Sequence, residues 1–208
     1  MQFNHKGLPA ALIGVVLALA ASIAPAHALD TSSIAFIQTA DGTTSIPIGH
    51  AEFCKSHGAE CQPNAAVVPA TDLDEAGWSQ LLTINAAVNQ GIVPVTDQDL
   101  YQIAEFWTYP NGYGDCEDIA LEKRRDLIAA GWPASTLLMA VVRERNGDGH
   151  AVLMVRTDRG DLVLDNQEGA VRLWNETPYH YVKRQSQADA GKWVDMIDDR
   201  PIIVAAAN

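Results

Sequence analysis

Positive charge is scarce in this sequence. Lysine and arginine number 14 against 26 aspartate and glutamate residues, for a formal net charge of −12. Proteins that wrap nucleic acid or coat an anionic membrane need clustered basic side chains, so neither class is expected here. Nothing in the composition indicates disorder, collagen or a coiled coil, and 48% of the 208 residues are hydrophobic. The chain is therefore expected to form one domain around a hydrophobic core.

A long hydrophobic run occurs only near the amino terminus. There Lys6 precedes the uncharged apolar stretch 11–24, and the small-x-small tripeptide 26–28 follows. This order predicts a secretory signal peptide, residues 1–28, cleaved after Ala28. A retained membrane anchor is the alternative, but the run is shorter than the roughly 20 residues that span a bilayer. We expect a periplasmic or secreted protein that is not inserted in a membrane once the signal is removed.

The mature chain, residues 29–208, is expected to be a single domain with a formal charge of −13, because the signal removes one lysine and no acid. Its three cysteines leave one without a partner. Cys54 and Cys61 flank a turn-rich segment, and a disulfide there would contribute roughly 2 to 3 kcal/mol of stability. Unpaired thiols, or a metal site with His50 or His57, are the alternatives, although no second cysteine pair completes a zinc set.

Helical periodicity marks the middle of the chain. Apolar positions repeat at helical spacing over residues 74–91 and 97–107. Residues 116–130 predict a third helix, because Asp115 is a suitable N-cap, acids occupy the first turn, and glycine and proline follow the end. Residues 29–68 are rich in turn formers and are expected to be irregular.

After the third predicted helix the hydrophobic period changes from 3.6 to 2. The turn-forming segments NGDG and TDRG separate β-rich runs, which predicts an antiparallel meander. Helices come first and strands second, so the predicted fold class is α+β, with the long helix packed on an antiparallel sheet. The predicted strands span residues 137–144, 150–155 and 161–165, with one or two more in 171–174 and 179–182.

His150 opens one predicted strand, and Asp165 ends the next. If residues 156–159 form a four-residue loop, the two side chains lie directly opposite each other, within hydrogen-bonding reach. A two-residue turn at 159–160 instead places Asp165 opposite Met154 and leaves His150 without this acid. The register of this hairpin therefore decides whether the two residues form a pair.

Cys116 stands at the start of the predicted helix, where free N–H groups and the helix dipole favour a thiolate. Together with His150 and Asp165 it has the residue types of a cysteine triad. In that triad His150 holds the thiolate and later protonates the leaving amine, while Asp165 orients the imidazole. Taken singly, the three are equally well interpreted as a small buried residue, a strand-start residue and a turn cap.

The segment GYGDCEDIALEKRRDLIAAG, followed by HAVLMV and LVLDN, resembles the bacterial transglutaminase-like cysteine proteinases, a family that includes the calcium-dependent periplasmic LapG-type proteases. Upstream, INAAVNQGI and VTDQDLYQIAEFW are also similar to that family, so the resemblance covers roughly residues 78–166. It implies a papain-like, transglutaminase-core fold with Cys116, His150 and Asp165 as the triad.

An oxyanion hole is also required for this chemistry. The backbone N–H of Cys116 is the natural first donor, and Trp107 or Asn111 is a candidate for the second. A packed aromatic residue and a turn residue are the alternative interpretations of these two side chains.

Asp115, Glu117 and Asp118 place negative charge beside the thiol, which would raise its pKa. Capping and helix-dipole interactions are one way to offset that charge. A hard cation with oxygen ligands, most simply Ca²⁺, is the other, although the chain has no EF-hand loop. The family resemblance favours Ca²⁺ through Asp115 and Glu117, and no organic cofactor is expected.

Three functions are compatible with these residues. Hydrolysis of a protein substrate, such as a cell-surface or exported protein, is the leading hypothesis. Acyl transfer to an amine, as in a transglutaminase or amidase, uses the same triad, and the choice depends on which nucleophile reaches the thioester. A calcium-ordered binding module with an inactive triad is the third. A monomer is expected.

Overall fold

The computed structural model describes residues 1–2 and 36–201. All of the predicted signal peptide except Met1 and Gln2 lies outside these residues. The described residues 36–201 belong to one compact unit, Thr31–Asn208. In chain order its described elements are β1 (Gln38–Thr39), α1 (Ile48–Ser56), α2 (Glu75–Gly91), β2 (Val93–Pro94), α3 (Asp97–Tyr101), β3 (Tyr113–Gly114), α4 (Cys116–Ala129), β4 (Leu137–Arg143), β5 (Gly149–Thr157), β6 (Gly160–Leu164), β7 (Arg172–Leu173), β8 (His180–Gln185) and β9 (Trp193–Ile197).

The main sheet has the strand order β1-β9-β8-β4-β5-β6-β7, with antiparallel neighbours throughout. Helix α4 packs against β4 and β5, and α2 packs against α4. The fold is therefore α+β, as predicted, with the long helix packed on an antiparallel sheet. Because strand side chains alternate between faces, β4 and β5 contribute to two hydrophobic clusters. The cluster on the helical side includes Leu121, Leu127, Leu137, Met139, Leu153 and Val155, and the other includes Leu138, Val142, Val152, Met154 and Tyr181.

Helix α4 begins at the predicted residue, and α2 begins one residue later than predicted, at Glu75. Asp74 caps α2 by accepting the Gly77 N–H at 2.7 Å. Helix α4 begins at Cys116 and ends one residue earlier than predicted, at Ala129. Among the described residues, no helix combines the length and the hydrophobicity needed to cross a bilayer.

Helix α3 is shorter than predicted. It ends at Tyr101, where Gln102 adopts a left-handed conformation with φ 58°, and does not reach residue 107. The buried Asp97 carboxylate accepts the N–H of Phe106. This contact turns the chain back over the start of α3, so the helical periodicity of residues 102–107 does not produce a helix.

The segment predicted to be irregular contains helix α1. The Cys54–Cys61 disulfide joins its last turn to the following 3₁₀ turn and is confirmed, so the thiol and metal alternatives are wrong. His50 of α1 lies beside this disulfide. It is 1% exposed and accepts the Trp193 indole N–H at 3.1 Å. Burial, helped by the charge of Arg124, lowers the pKa of His50 to about 4.

The predicted meander forms as β4, β5, β6 and β7. Strand β8 does not extend the meander but pairs with β4 on its other side, and β9, which the sequence analysis missed, pairs with β8. The run WVDMI of β9 has an apolar alternation that could have revealed it. These pairings place the start of β8 beside the end of β4, at the same edge of the sheet as the end of β6, where the site described next is found.

Candidate active site

Cys116 is the first residue of α4, after the N-cap residue Asp115. Its Sγ lies 3.1 Å from Oε2 of Glu117 and donates to it. Burial raises the pKa of the Cys116 thiol strongly, and the Glu117 carboxylate raises it further, against an opposing hydrogen bond from the Ala151 backbone. Burial, and after it the Glu117 carboxylate, therefore oppose the thiolate that the helix start favours.

The turn between β5 and β6 differs from both predicted turns. Thr157 pairs with Gly160 around the two-residue turn 158–159, whereas the sequence suggests turns at 156–159 or 159–160. The Thr157 hydroxyl donates to the Gly160 carbonyl at 2.9 Å and closes this turn. Both predicted registers are wrong. They are based on hydrophobic alternation, which does not show that the Thr157 side chain closes the turn.

His150 and Asp165 are consequently diagonal neighbours. The ladder, continued by one pair, puts Asp165 opposite Val152, two residues from His150 on the same face. Diagonal neighbours in an antiparallel pair lie about 7 to 8 Å apart, within reach of a histidine ring. Nε2 of His150 lies 2.9 Å from Oδ1 of Asp165, and both side chains are buried. The two predicted residues thus meet, in a register that neither predicted turn gives.

The Asp165 carboxylate is held on both oxygens. Oδ1 also accepts the Gln167 backbone N–H at 3.0 Å, and Oδ2 accepts the Tyr179 hydroxyl in a short hydrogen bond. Burial raises the pKa of Asp165, but the hydrogen bonds and charge of His150, with those from Tyr179 and Gln167, outweigh it and lower the pKa overall. The carboxylate is therefore ionised and fixed in orientation.

Tyr179 was not identified from the sequence. It is 7% exposed, and its ring centre lies 5.3 Å from that of His150. The residue stands between Pro178 and the start of β8, so local sequence gives no sign of a polar partner. Only the pairing of β8 with β4 brings it to Asp165.

Cys116 and His150 line one cleft with a volume of about 440 Å³. Because Nε2 of His150 is used by Asp165, Nδ1 is the ring nitrogen available to the cleft, and the Gln167 side-chain amide lies 3.5 Å from it. The cleft is also lined by Pro47, Ile48, Glu105, Trp107, Glu117, Val141, Gly149, Ala151 and Lys183. A nucleophile and a histidine therefore share a solvent-connected space large enough for a peptide segment.

The two predicted oxyanion donors are placed differently. Trp107 lines the cleft, is 5% exposed, and donates its indole N–H to Glu105 at 3.3 Å. Gly49 of α1 packs on the indole ring so closely that an added Cβ would lie 2.2 Å from a ring carbon. Asn111 is exposed in the loop before β3 and is not among the residues that line the cleft. The structure brings Trp107 to the site and leaves Asn111 outside it.

Asp97, Asp115 and Glu117 form an acidic cluster beside the thiol, with one oxygen of each within 4.8 Å of the others. Asp118, which the sequence analysis grouped with Asp115 and Glu117, is not in this cluster. Its Oδ1 accepts the Thr108 backbone N–H at 2.8 Å, and its Oδ2 is buried without a hydrogen-bond partner among the described residues. Asp97, 18 residues before Asp115, could not be recognised by spacing because the β2–β3 pairing brings it there.

The acidic cluster fits a hard cation. Asp115 accepts the Asp97 N–H at 3.1 Å through Oδ2, and Asp97 accepts the Phe106 N–H through its own Oδ2. In the described part of the chain, Oδ1 of each of these two carboxylates is buried without a hydrogen-bond partner. Each carboxylate is thus anchored by one oxygen and leaves the other for a ligand. Buried carboxylate oxygens are the donors that Ca²⁺ prefers.

Lys123 is a buried cation on the same helix as Cys116. It is 1% exposed, and burial lowers its pKa to about 7, against the attraction of Asp165. Sequence patterns do not reveal this position, since Lys123 lies in a charged run typical of a solvated helix face. The negative charge of Asp165 favours the protonated form of the Lys123 amine.

Comparison with known proteins gives one family match. The family model described as bacterial transglutaminase-like cysteine proteinase matches residues 40–201. Among solved structures, calcium-bound LapG of Legionella pneumophila is 26% identical, with a TM-score of 0.46, over 51% of this chain and 64% of LapG. A second LapG structure is 27% identical, with a TM-score of 0.46, over 51% and 62%.

EGTA-treated LapG of the same organism is 26% identical to this chain, with a TM-score of 0.49, over 59% of this chain and 72% of LapG. The chain thus spans a little under two thirds of the length of the first two LapG structures. No curated protein sequence matches it.

Proposed function

Because the chain belongs to the bacterial transglutaminase-like cysteine proteinases, we propose that it is a cysteine peptidase that hydrolyses a peptide bond in a protein substrate, with Cys116, His150 and Asp165 as its triad. The observation that carries this proposal is the buried His150–Asp165 hydrogen bond at the edge of the cleft that contains Cys116. The predicted signal peptide, residues 1–28, extends the proposal to a protein that acts outside the cytoplasm.

The proposed reaction starts with transfer of the Cys116 thiol proton to Nδ1 of His150. The thiolate then attacks the scissile carbonyl carbon, and the C–N bond breaks as the His150 imidazolium protonates the leaving amine. Water, deprotonated by His150, next attacks the thioester and releases the carboxylic acid and the Cys116 thiol. Asp165, ionised and held by Tyr179, stabilises the imidazolium through both stages.

The developing oxyanion requires hydrogen-bond donors in the cleft. We assign the backbone N–H of Cys116 as the first donor, since it is free at the start of α4. The indole N–H of Trp107 is the proposed second donor. It currently donates to Glu105 at 3.3 Å, a long contact that a charged oxygen would replace.

Asp97, Asp115 and Glu117 are the proposed ligands for Ca²⁺. When bound, the ion supplies positive charge next to carboxylates that otherwise raise the pKa of the nucleophile. Glu117 is the residue through which this site affects the reaction, because its carboxylate both belongs to the cluster and accepts the Cys116 thiol. Calcium-dependent activity is therefore part of the proposal.

Labelling with a trans-epoxysuccinyl probe, which alkylates activated thiols, tests the proposal. The probe is expected to modify wild type at Cys116, to leave Cys116→Ala unmodified, and to react at least about 100-fold more slowly with His150→Ala. EGTA is expected to slow labelling of wild type, and Ca²⁺ to restore it. Equal rates in wild type and His150→Ala would contradict the triad, whereas indifference to EGTA would contradict only the calcium site.

Product analysis separates hydrolysis from acyl transfer. Wild type is incubated with a library of synthetic decapeptides and excess glycine methyl ester, and products are identified by mass spectrometry. Peptide hydrolysis is expected to yield new free carboxyl and amino termini that Cys116→Ala does not produce. Products carrying the glycine ester would instead identify acyl transfer as the main reaction.

A further inference from the structure

A second cavity, of about 300 Å³, adjoins the cleft along the sheet. On β4, Val141 lines the cleft, and Arg143, two residues further along the same face, lines this second cavity. Their partners on β8, Lys183 and His180, line the same two spaces, with a β-bulge between the two pairs. Two residues along a strand advance about 7 Å, so the two spaces are neighbours. Gly149, the β5 partner of Arg143, lines the cleft and adds no side chain between them.

The lining of the second cavity has more arginines than acids, in a chain that is otherwise acidic. Arg143, Arg145, Arg200 and His180 line it, against the two acids Glu144 and Asp198. Asp198 is already engaged, because it binds Arg200 at 2.8 Å and lies 3.6 Å from His180. The carboxylate of Glu144 accepts the side-chain amide of Gln167 at 2.7 Å.

Two of these arginines have no acidic partner among residues 36–201. The arginine ion pairs in that range involve Arg125, Arg156, Arg172 and Arg200. Arg143 donates only to the Gly147 carbonyl, at 3.0 Å, while Arg145 follows it in the exposed β4–β5 turn. Guanidinium groups bind carboxylates strongly through paired N–H donors, so this edge of the cavity is suited to an anion.

We propose that Arg143 and Arg145, with His180, form a subsite for acidic side chains of the protein substrate, two to four residues from the scissile bond. The inference rests on the proposed peptidase function. The occupant is a segment of the substrate because the cavity continues the cleft over Gly149. It is acidic because Arg143 and Arg145, which have no ion-pair partner among residues 36–201, outnumber Glu144, the one acid of the lining without an ionic partner in that range. The subsite selects glutamate- or aspartate-containing sequences beside the cleavage site.

Four synthetic trans-epoxysuccinyl probes test the subsite in buffer containing Ca²⁺. Two carry Ala-Glu-Glu and two carry the neutral Ala-Gln-Gln, attached to one end of the epoxide or to the other. For at least one attachment, the glutamate probe is expected to label wild-type Cys116 about 10-fold faster than its glutamine counterpart. In Arg143→Gln/Arg145→Gln the two rates are expected to become equal, whereas alkylation of Cys116 by the small reagent iodoacetamide is unchanged.

The matched control is Arg125→Gln/Lys192→Gln, which removes two exposed positive charges away from the cavity. It is expected to keep the preference for glutamate, which excludes an effect of net charge alone. Equal rates for all probe pairs in wild type, or a preference that survives in Arg143→Gln/Arg145→Gln, would overturn the subsite while iodoacetamide still labels Cys116. Failure of every electrophile to label Cys116 would overturn the proposed function and the subsite with it.

Discussion

Two buried polar clusters flank the same thiol and differ in how completely the protein satisfies them. In the first, both oxygens of Asp165 accept hydrogen bonds, from His150, Gln167 and Tyr179. In the second, Asp97 and Asp115 each leave one buried oxygen without a partner in the described chain, as does Asp118 next to this cluster in sequence. The protein alone therefore orders the histidine and its acid, whereas it leaves oxygens of the acids beside Cys116 unsatisfied.

Removing His150 from the first cluster, in which both Asp165 oxygens are satisfied, should have the largest effect on activity. His150→Ala is expected to lower kcat/KM for peptide hydrolysis by about 10⁴-fold, because no other side chain there moves the proton. Steady-state kinetics on a peptide from the decapeptide library measures it. His57→Ala, a histidine outside the cleft, is the control and should retain wild-type kcat/KM, and a comparable loss in that variant would contradict the assignment.

His50 adds to the comparison a buried group whose hydrogen bonds are satisfied only when its imidazole ring is neutral. Its pKa is lowered from 6.5 to about 4 in the folded state. The unfolded chain therefore binds the extra proton first, and stability should fall as pH decreases from about 6.5 to about 4, by up to about 3 kcal/mol. Urea unfolding at several pH values measures this dependence.

The control for that measurement is His50→Gln, which has no group that titrates in this range. It is expected to lose less stability than wild type over the same pH interval, although it starts from a lower value. Parallel pH dependences in the two proteins would show that other groups, and not His50, control acid stability.

Asp97→Asn should disrupt the second cluster, which consists of Asp97, Asp115 and Glu117. Loss of one charged ligand is expected to weaken Ca²⁺ binding by about 100-fold, because affinity depends on the number of charged ligands. Isothermal titration calorimetry measures it, with the calcium-dependent rise in melting temperature as a second readout. Asp118→Asn sharpens the comparison, since that residue faces Thr108 and should leave the affinity within about 2-fold. Equal losses in both variants would contradict the ligand set.

Tyr179→Phe makes the smallest change, since it removes one hydroxyl from the completed cluster. Loss of the hydrogen bond to ionised Asp165 is expected to lower kcat/KM about 10-fold. Because this bond helps to lower the pKa of Asp165, its loss should also move the acidic limb of the pH–rate profile to higher pH. Tyr181→Phe, whose hydroxyl contacts Thr177 instead, is the control. An unchanged profile in Tyr179→Phe would leave Tyr179 with a packing role only.

Local signals predicted the elements that local interactions stabilise. Asp115 precedes α4 as predicted, and Asp74, predicted as the first residue of α2, precedes that helix, although only Asp74 uses its side chain as a cap. The Asp115 carboxylate instead accepts the Asp97 N–H, a contact between distant segments that no capping rule contains. The predicted length of helix α3 was too great for the same reason, because the carboxylate of Asp97 accepts the N–H of Phe106.

The chemical groups of the site and their local setting can be read from the amino-acid sequence: a cysteine at a helix start, a histidine and an aspartate on adjoining strands, and two cysteines close enough to form a disulfide. These depend on spacing and capping, which act within a few residues. Three features follow from the tertiary structure instead: the diagonal register of His150 and Asp165, the grouping of Asp97 with Asp115 and Glu117, and the contact of Tyr179 with Asp165. Those outcomes depend on strand pairing and backbone contacts between segments far apart in the chain, whose energies no short stretch of sequence contains.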